Sequence, residues 1–173
     1  PAQFWAHKYH QRLVSAAASL KNRIPDIHLV FSGAPTHGYK DLVRHIDALG
    51  MAPHVTFTGR VPDADMSEFY RRACCLIMPT FFGPTNIPPL EAFALGCPVT
   101  ISSIYGMPEQ ADGAALLFDP ESTQDIAQSL LRLWTDENLC RELRAKGLAR
   151  AAAWNQEAFD RRFREILETV LAS

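Results

Sequence analysis

Apolar positions along this chain alternate between two spacings. Leu13, Ala17, Leu20 and Ile24 recur at helical intervals, and the run Ile27 to Phe31 that follows is short and ends at Gly33. A second helical set, Leu42, Ile46 and Leu49, closes at Gly50, and Val55 to Thr58 then reads as a strand ending at Gly59. The next helix has Asp65 as its expected cap, Glu68 three residues later, and Phe69, Tyr70 and Ala73 on its inner side. Cys75 to Met78 is a strand stopped by Pro79, and a short helix runs from about Pro89 to Leu95, ended by Gly96. Val99 to Ile101 and Ala115 to Phe118 are two further strands. Beyond them the pattern is helical only. Ile126, Leu130, Leu131 and Trp134 line one helix, and Phe159, Phe163, Ile166, Leu167, Val170 and Leu171 form a clean stripe on the last.

Short apolar strands without strict alternation, separated by helices, belong to a sheet buried on both faces. The expected fold class is α/β: a Rossmann-like, doubly wound parallel sheet with helices on both faces and a helical C-terminus. In such open sheets ligands bind beyond the carboxyl ends of the strands, so the loops after Phe31, Thr58, Met78 and Ile101 are the places to look for function.

The 173 residues make one ordinary domain, and 47% hydrophobic with 21% charged residues is a globular composition. A formal charge of −2 gives no net attraction to nucleic acid or anionic membrane. No apolar run reaches membrane-spanning length, and no signal peptide opens the chain. The expected location is therefore cytoplasmic, with the inner membrane face open to a longer protein. Pro1-Ala2-Gln3-Phe4-Trp5 reads like the middle of a sequence. Cys74, Cys75, Cys97 and Cys140 have no metal-ligand spacing, and the first three, in or beside apolar runs, read as core residues in a reducing compartment.

The richest segment is Pro79 to Val99, PTFFGPTNIPPLEAFALGCPV. It follows a strand and is crowded with turn formers. Pro88 biases Ile87 away from helical geometry, and Pro89 suits the first helical position. With Pro88 as cap, the free amides would belong to Leu90, Glu91 and Ala92, a natural anion site at the positive end of a helix. A carboxylate at Glu91, read as first-turn, could also take both hydroxyls of a ribose. Spacing alone leaves a second reading open, in which Gly83, Pro84 and Asn86 only build a turn and Glu91 only complements the dipole.

The same segment resembles the signature of the family 4 retaining glycosyltransferases, E-x7-E with G-F-G-L-P-x-x-E-A-M-A-x-G-x-P-V. Ile87, Pro88, Glu91, Ala92, Ala94, Gly96, Pro98 and Val99 match it. Leu29-Val30-Phe31-Ser32-Gly33, Val55-Thr56-Phe57-Thr58-Gly59, Gly106-Met107-Pro108-Glu109 and Leu116-Leu117-Phe118-Asp119-Pro120 resemble further family segments in the same order. The resemblance implies the donor-binding, C-terminal half of the GT-B fold, with residues 1–173 as a single nucleotide-sugar-binding domain. It implies that Glu91 holds the nucleotide ribose and that Lys8 contacts the donor diphosphate. Asn86 and Ile87 would reach the phosphate and sugar, Gly33 would permit close backbone approach, and Arg60 and Val61 would cradle the base. Glu109 carries no settled role and is expected to brace the loop after Ile101.

Two positions depart from the pattern. Gly83 occupies the place of the first Glu, and Gln3 the place of the usual arginine before the lysine. A glycine can be neither nucleophile nor proton carrier, so no catalytic residue is assigned. Transfer would rest on positioning and leaving-group stabilisation. No metal or other cofactor is expected, because a lysine and a helix terminus supply the positive charge. The expected partners are a nucleoside diphosphate sugar, an N-terminal acceptor domain absent from this sequence, and a saccharide or lipid-linked acceptor; nucleic acid is not among them. The family's first strand would lie at the centre of the sheet, and only Pro1 to Phe4 could belong to it. A non-catalytic sugar-nucleotide-binding or scaffold module and a GT-B-fold nucleotide-sugar epimerase are the alternatives. His7, His10 and His37 read by default as surface or loop histidines, and Trp5, Trp134 and Trp154 as packing residues, Trp5 with the most room for a different role.

Overall fold

The computed structural model describes residues 2–82 and 86–171. Gly83, the position that replaces the first Glu of the family pattern, lies outside the described residues. The five strands are β1 Leu29–Ser32, β2 Val55–Gly59, β3 Leu76–Met78, β4 Val99–Ser102 and β5 Leu116–Phe118. The helices are α1 His10–Ser19, α2 Tyr39–Ala48, α3 Asp63–Arg72, α4 Ile87–Ala94, α5 Met107–Ala111, α6 Thr123–Thr135, α7 Glu137–Ala153 and α8 Gln156–Leu171. Single 3-10 turns at Ala6–Lys8 and Ala52–His54 precede α1 and β2.

All strand pairs are parallel, and they form two blocks. β1 pairs with β2, Val30 opposite Thr56, while β4 lies between β3 and β5, Thr100 opposite Ile77 and Leu116. Between the blocks is a largely apolar slot of about 480 Å³. Its walls include Leu29 and Phe31 of β1 and Leu76 and Met78 of β3, and Ala2 and Lys8 also line it. Residues 2 to 5 form no strand. Ala2 N–H nevertheless donates to Ser32 O at 2.8 Å, a single rung beside the end of β1.

Two cores cover the sheet. One gathers Leu13, Val14 and Ala17 of α1, Phe31, Leu42 and Ile46 of α2, and Ile126 of α6. The other gathers Tyr70, Met78, Phe93 of α4, Val99, Ile101 and Met107. β4 is buried along its whole length. Its two hydroxyl residues remain satisfied, Thr100 donating to Leu116 O and Ser102 to Met78 O, both at 3.2 Å. Ser122 and Asp136 cap α6 and α7 by accepting from Asp125 N and Leu139 N at 3.1 and 2.9 Å. Gly147 lets α7 close on α4, for a Cβ there would stand 2.9 Å from Phe93 Cδ1.

Several expectations need correction. Asp65 is the third residue of α3, whose cap is Pro62. The stripe on α8 covers nothing in either core, and none of that helix is buried. Trp5, Trp134 and Trp154 are 54%, 45% and 57% exposed, so none is a core residue. Cys74 is exposed as well, because it precedes β3 at the sheet's rim; Cys97 is buried. Among the described residues no helix is long and apolar enough to cross a membrane.

Candidate functional site

Three segments come together around Lys8, two of them the loops after β3 and β4 at the carboxyl ends of their strands. The first is the turn that carries it. Tyr9 adopts left-handed geometry, φ 50°, at a cost of about 1–2 kcal/mol for a residue with a Cβ. Its side chain is held from several sides: the ring stacks on Phe81 at 5.3 Å, Arg12 lies over its face at 4.7 Å, and its hydroxyl donates to Glu121 at 2.8 Å. Arg12 in turn forms a 2.6 Å ion pair with Glu121. The Phe81 amide donates to His7 O at 2.8 Å and so ties this turn to the loop after β3. With the turn fixed, the half-buried Lys8 ammonium donates to Asn86 Oδ1 at 3.2 Å. Burial lowers the lysine's pKa from its ordinary value. A cation that has lost part of its water, with one neutral partner, is well placed to take an anion.

Asn86 is the cap of α4, buried, and gripped from α5. Its N–H donates to Gln110 Oε1 at 3.1 Å and its carbonyl accepts from Gln110 Nε2 at 2.6 Å. Its own amide nitrogen points to Met107 Sδ at 3.5 Å, which leaves the side-chain oxygen facing Lys8. This clamp starts α4 at Ile87, two residues earlier than proline sterics predict. The anion-site expectation changes accordingly. Pro88 and Pro89 fill the second and third helical positions and have no N–H, so within the first turn only Ile87 offers one. Ile87 is also 69% exposed.

Glu91 consequently lies in the second turn, and the first turn holds no acidic residue. Its carboxylate accepts the Tyr70 hydroxyl at 2.7 Å, a bond reaching across from α3. Burial first, and then this bond, push the Tyr70 pKa up. Tyr70 thus remains a donor and holds one oxygen of an exposed carboxylate.

Arg60 and Val61 line a separate open hollow of about 520 Å³ with Thr58, Phe69 and Arg72. The two places share α3, which supplies Phe69 to the hollow and Tyr70 to Glu91. Gly33 does allow a close approach, but the approaching backbone is the chain's own: a Cβ there would stand 2.2 Å from Ala2 O. Glu109 is exposed, and its backbone carbonyl accepts from Arg150 at 3.0 Å. Gln3 accepts a bond from the Trp5 indole. Among the described residues, no three His, Cys, Asp or Glu side chains are grouped to hold a metal ion.

Sequence reasoning missed Gln110, Tyr70 and His10. Gln110 and Tyr70 carried no local signal beyond their positions, after the Gly106–Glu109 motif and on the inner side of α3. His10, read by default as a surface or loop histidine, is the first residue of α1 and only partly exposed. It packs against Phe4 and Phe31 with ring centroids 5.2 and 5.3 Å away. Burial, helped by neighbouring positive charge, lowers its pKa to about 4.

A family model described as glycosyl transferases group 1 matches residues 2–150. The O-antigen chain mannosyltransferase B of Escherichia coli is 31% identical over 103 residues, which is 60% of this chain and 27% of that protein. The D-inositol 3-phosphate glycosyltransferase of Arthrobacter sp. (strain FB24) is 34% identical over 134 residues, 73% of this chain and 31% of that one. This chain therefore spans under a third of the length of either relative. Among solved structures, the C-terminal domain of the glycosyl transferase group 1 family protein LpcC of Francisella tularensis superposes with a TM-score of 0.77 at 23% identity, covering 87% of this chain and 81% of that one. Anabaena HepE in complex with UDP gives a TM-score of 0.84 at 19% identity, over 97% of this chain and 47% of that chain. These two likenesses establish the fold.

Proposed function

The chain belongs to the group 1 glycosyl transferases, and from that membership we propose that it is the donor-binding domain of an enzyme that transfers a sugar from a nucleoside diphosphate with retention of configuration. The observation that carries the reading is the Lys8–Asn86 contact of 3.2 Å, between a half-buried ammonium and the clamped cap of α4. The diphosphate lies against Lys8 and the Ile87 amide, where a point charge and the positive helix end act together. The ribose hydroxyls meet Glu91, and the base lies by Arg60 and Val61. The complex of the structural neighbour HepE with UDP supports a nucleotide ligand for this fold. Leaving-group charge is carried by Lys8 and the helix start, so no divalent cation is called for. The acceptor, a saccharide or lipid-linked saccharide, is presented by a second domain, and the product belongs to polysaccharide or glycoconjugate synthesis in the cytoplasm.

Calorimetry with UDP, GDP and the corresponding nucleosides is the test. Lys8→Ala should weaken diphosphate binding, leave nucleoside binding nearly unchanged and flatten the salt dependence, because a screened charge contact is gone. An unchanged diphosphate affinity would falsify the assignment.

A further inference from the structure

Cys74 lies exposed just before β3, and Cys140 is half-buried in the first turn of α7. Both thiols donate to one carbonyl oxygen, that of Leu133 near the end of α6, Cys140 from 3.0 Å and Cys74 from 3.6 Å. Two sulfurs sharing one acceptor atom are no farther apart than the sum of those distances. Thiol donors are weak, so neither sulfur is locked in place. Cys97 is buried and Cys75 only partly accessible, which leaves Cys74 as the thiol a solute reaches first.

We propose that Cys74 and Cys140 form a dithiol modification site that reacts with a small disulfide of the glutathione class and closes into an intrachain Cys74–Cys140 bond. In the first step the Cys74 thiolate attacks one sulfur of oxidised glutathione. A Cys74–glutathione bond forms, the small S–S bond breaks, and one glutathione leaves as thiolate and takes up a proton. In the second step the Cys140 thiolate attacks the Cys74 sulfur and expels the second glutathione, which is protonated in turn. Two cysteine thiols are oxidised, and one small disulfide is reduced to two thiols. The order follows from the surroundings. A hydrogen bond from the Cys75 thiol lowers Cys74 to about 7, close to the value at which a thiol attacks best at neutral pH. Burial raises Cys140 and pushes Cys97 up to about 11.

The bond would fasten the entry of β3 to α7, the helix that backs α4 through Gly147 and through Arg144, which donates to Gly96 O at 2.8 Å. The test treats the whole chain with oxidised glutathione and maps its peptides by mass spectrometry without reduction. The expected product is a single Cys74–Cys140 disulfide, with thermal unfolding shifted up by about 5 °C or more. Cys140→Ser should stop at a stable glutathione adduct on Cys74, and Cys74→Ser should leave Cys140 unmodified over the same time. A Cys74–Cys75 bond, a first adduct on Cys140 or Cys97, or a folded protein that does not react would each overturn the proposal.

Discussion

Acidification should destabilise this protein through one identifiable ring. His10 is enclosed by Phe4 and Phe31 and has its pKa lowered from 6.5 to about 4. The folded state therefore binds fewer protons than the unfolded state between those two values. Stability is fully present above the unfolded value and is lost as pH falls toward the folded one. A shift of 2–3 units corresponds to about 3 kcal/mol, and about 2 kcal/mol of that is gone by pH 5. Carboxylates also gain protons in acid, so wild type alone does not isolate the histidine's contribution. The assay is urea unfolding from pH 7.5 to 5 on wild type and His10→Gln, compared by difference. The wild-type curve should fall more steeply by about 2 kcal/mol across that range. The variant starts lower, because an amide fills the aromatic enclosure less well. Parallel curves would show that His10 titrates near its ordinary value in the folded state, and the burial argument would fail.

Glu91→Gln should cost a ribonucleotide about 1.5–3 kcal/mol of binding, and its 2′,3′-dideoxy analogue far less; equal losses in calorimetry reassign Glu91 to structure. Gln110→Ala strips both backbone groups of Asn86 of their partner, at about 1–3 kcal/mol for each buried group left unpaired. Lower stability together with weakened UDP binding is expected, and unchanged UDP binding would separate the clamp from the site. Gly147→Ala gains about 1 kcal/mol of helix propensity but forces a methyl against the fully buried Phe93, at about 1–3 kcal/mol. Chemical denaturation should show a net loss, and a stabilised variant would mean that α7 shifts freely. On the proposed two-domain reading, these 173 residues incubated with donor and acceptor should bind the nucleotide without transferring sugar, because that reading gives the wall that orients the acceptor to the second domain; turnover at an ordinary enzymatic rate would refute it.

The alternation of spacings carried most of the architecture, since each parallel strand is a short apolar run and most longer helices have an apolar face; α7, the longest, buries only Leu143 and Gly147 and shows no stripe. The alternation failed where the deciding contact is remote or the element is too short. α5 has five residues, fewer than two turns, and shows no periodicity. The start of α4 depends on Gln110, 24 residues beyond Asn86, whereas local proline rules see only their immediate neighbours. His10 looked like a polar loop residue because Phe4 and Phe31 enclose it only in three dimensions. The family resemblance singled out both Lys8 and Asn86, 78 residues apart, and the fold brings them into contact. Arg60 and Val61 stand apart from that contact, across α3. The stripe on α8 is a reminder that periodicity reports an apolar face without reporting what covers it.

The division of the sheet also bears on how its backbone amides meet solvent. Among the described residues β1 pairs with no strand but β2 and β3 with none but β4, and the far edge of β1 carries one rung, from Ala2 N–H to Ser32 O. Amides on the slot-facing edges have no ladder partner to open before exchanging with deuterium, whereas β4 is paired on both sides and buried throughout. Protection should be greatest at Val99 to Ser102 and low along both margins of the slot.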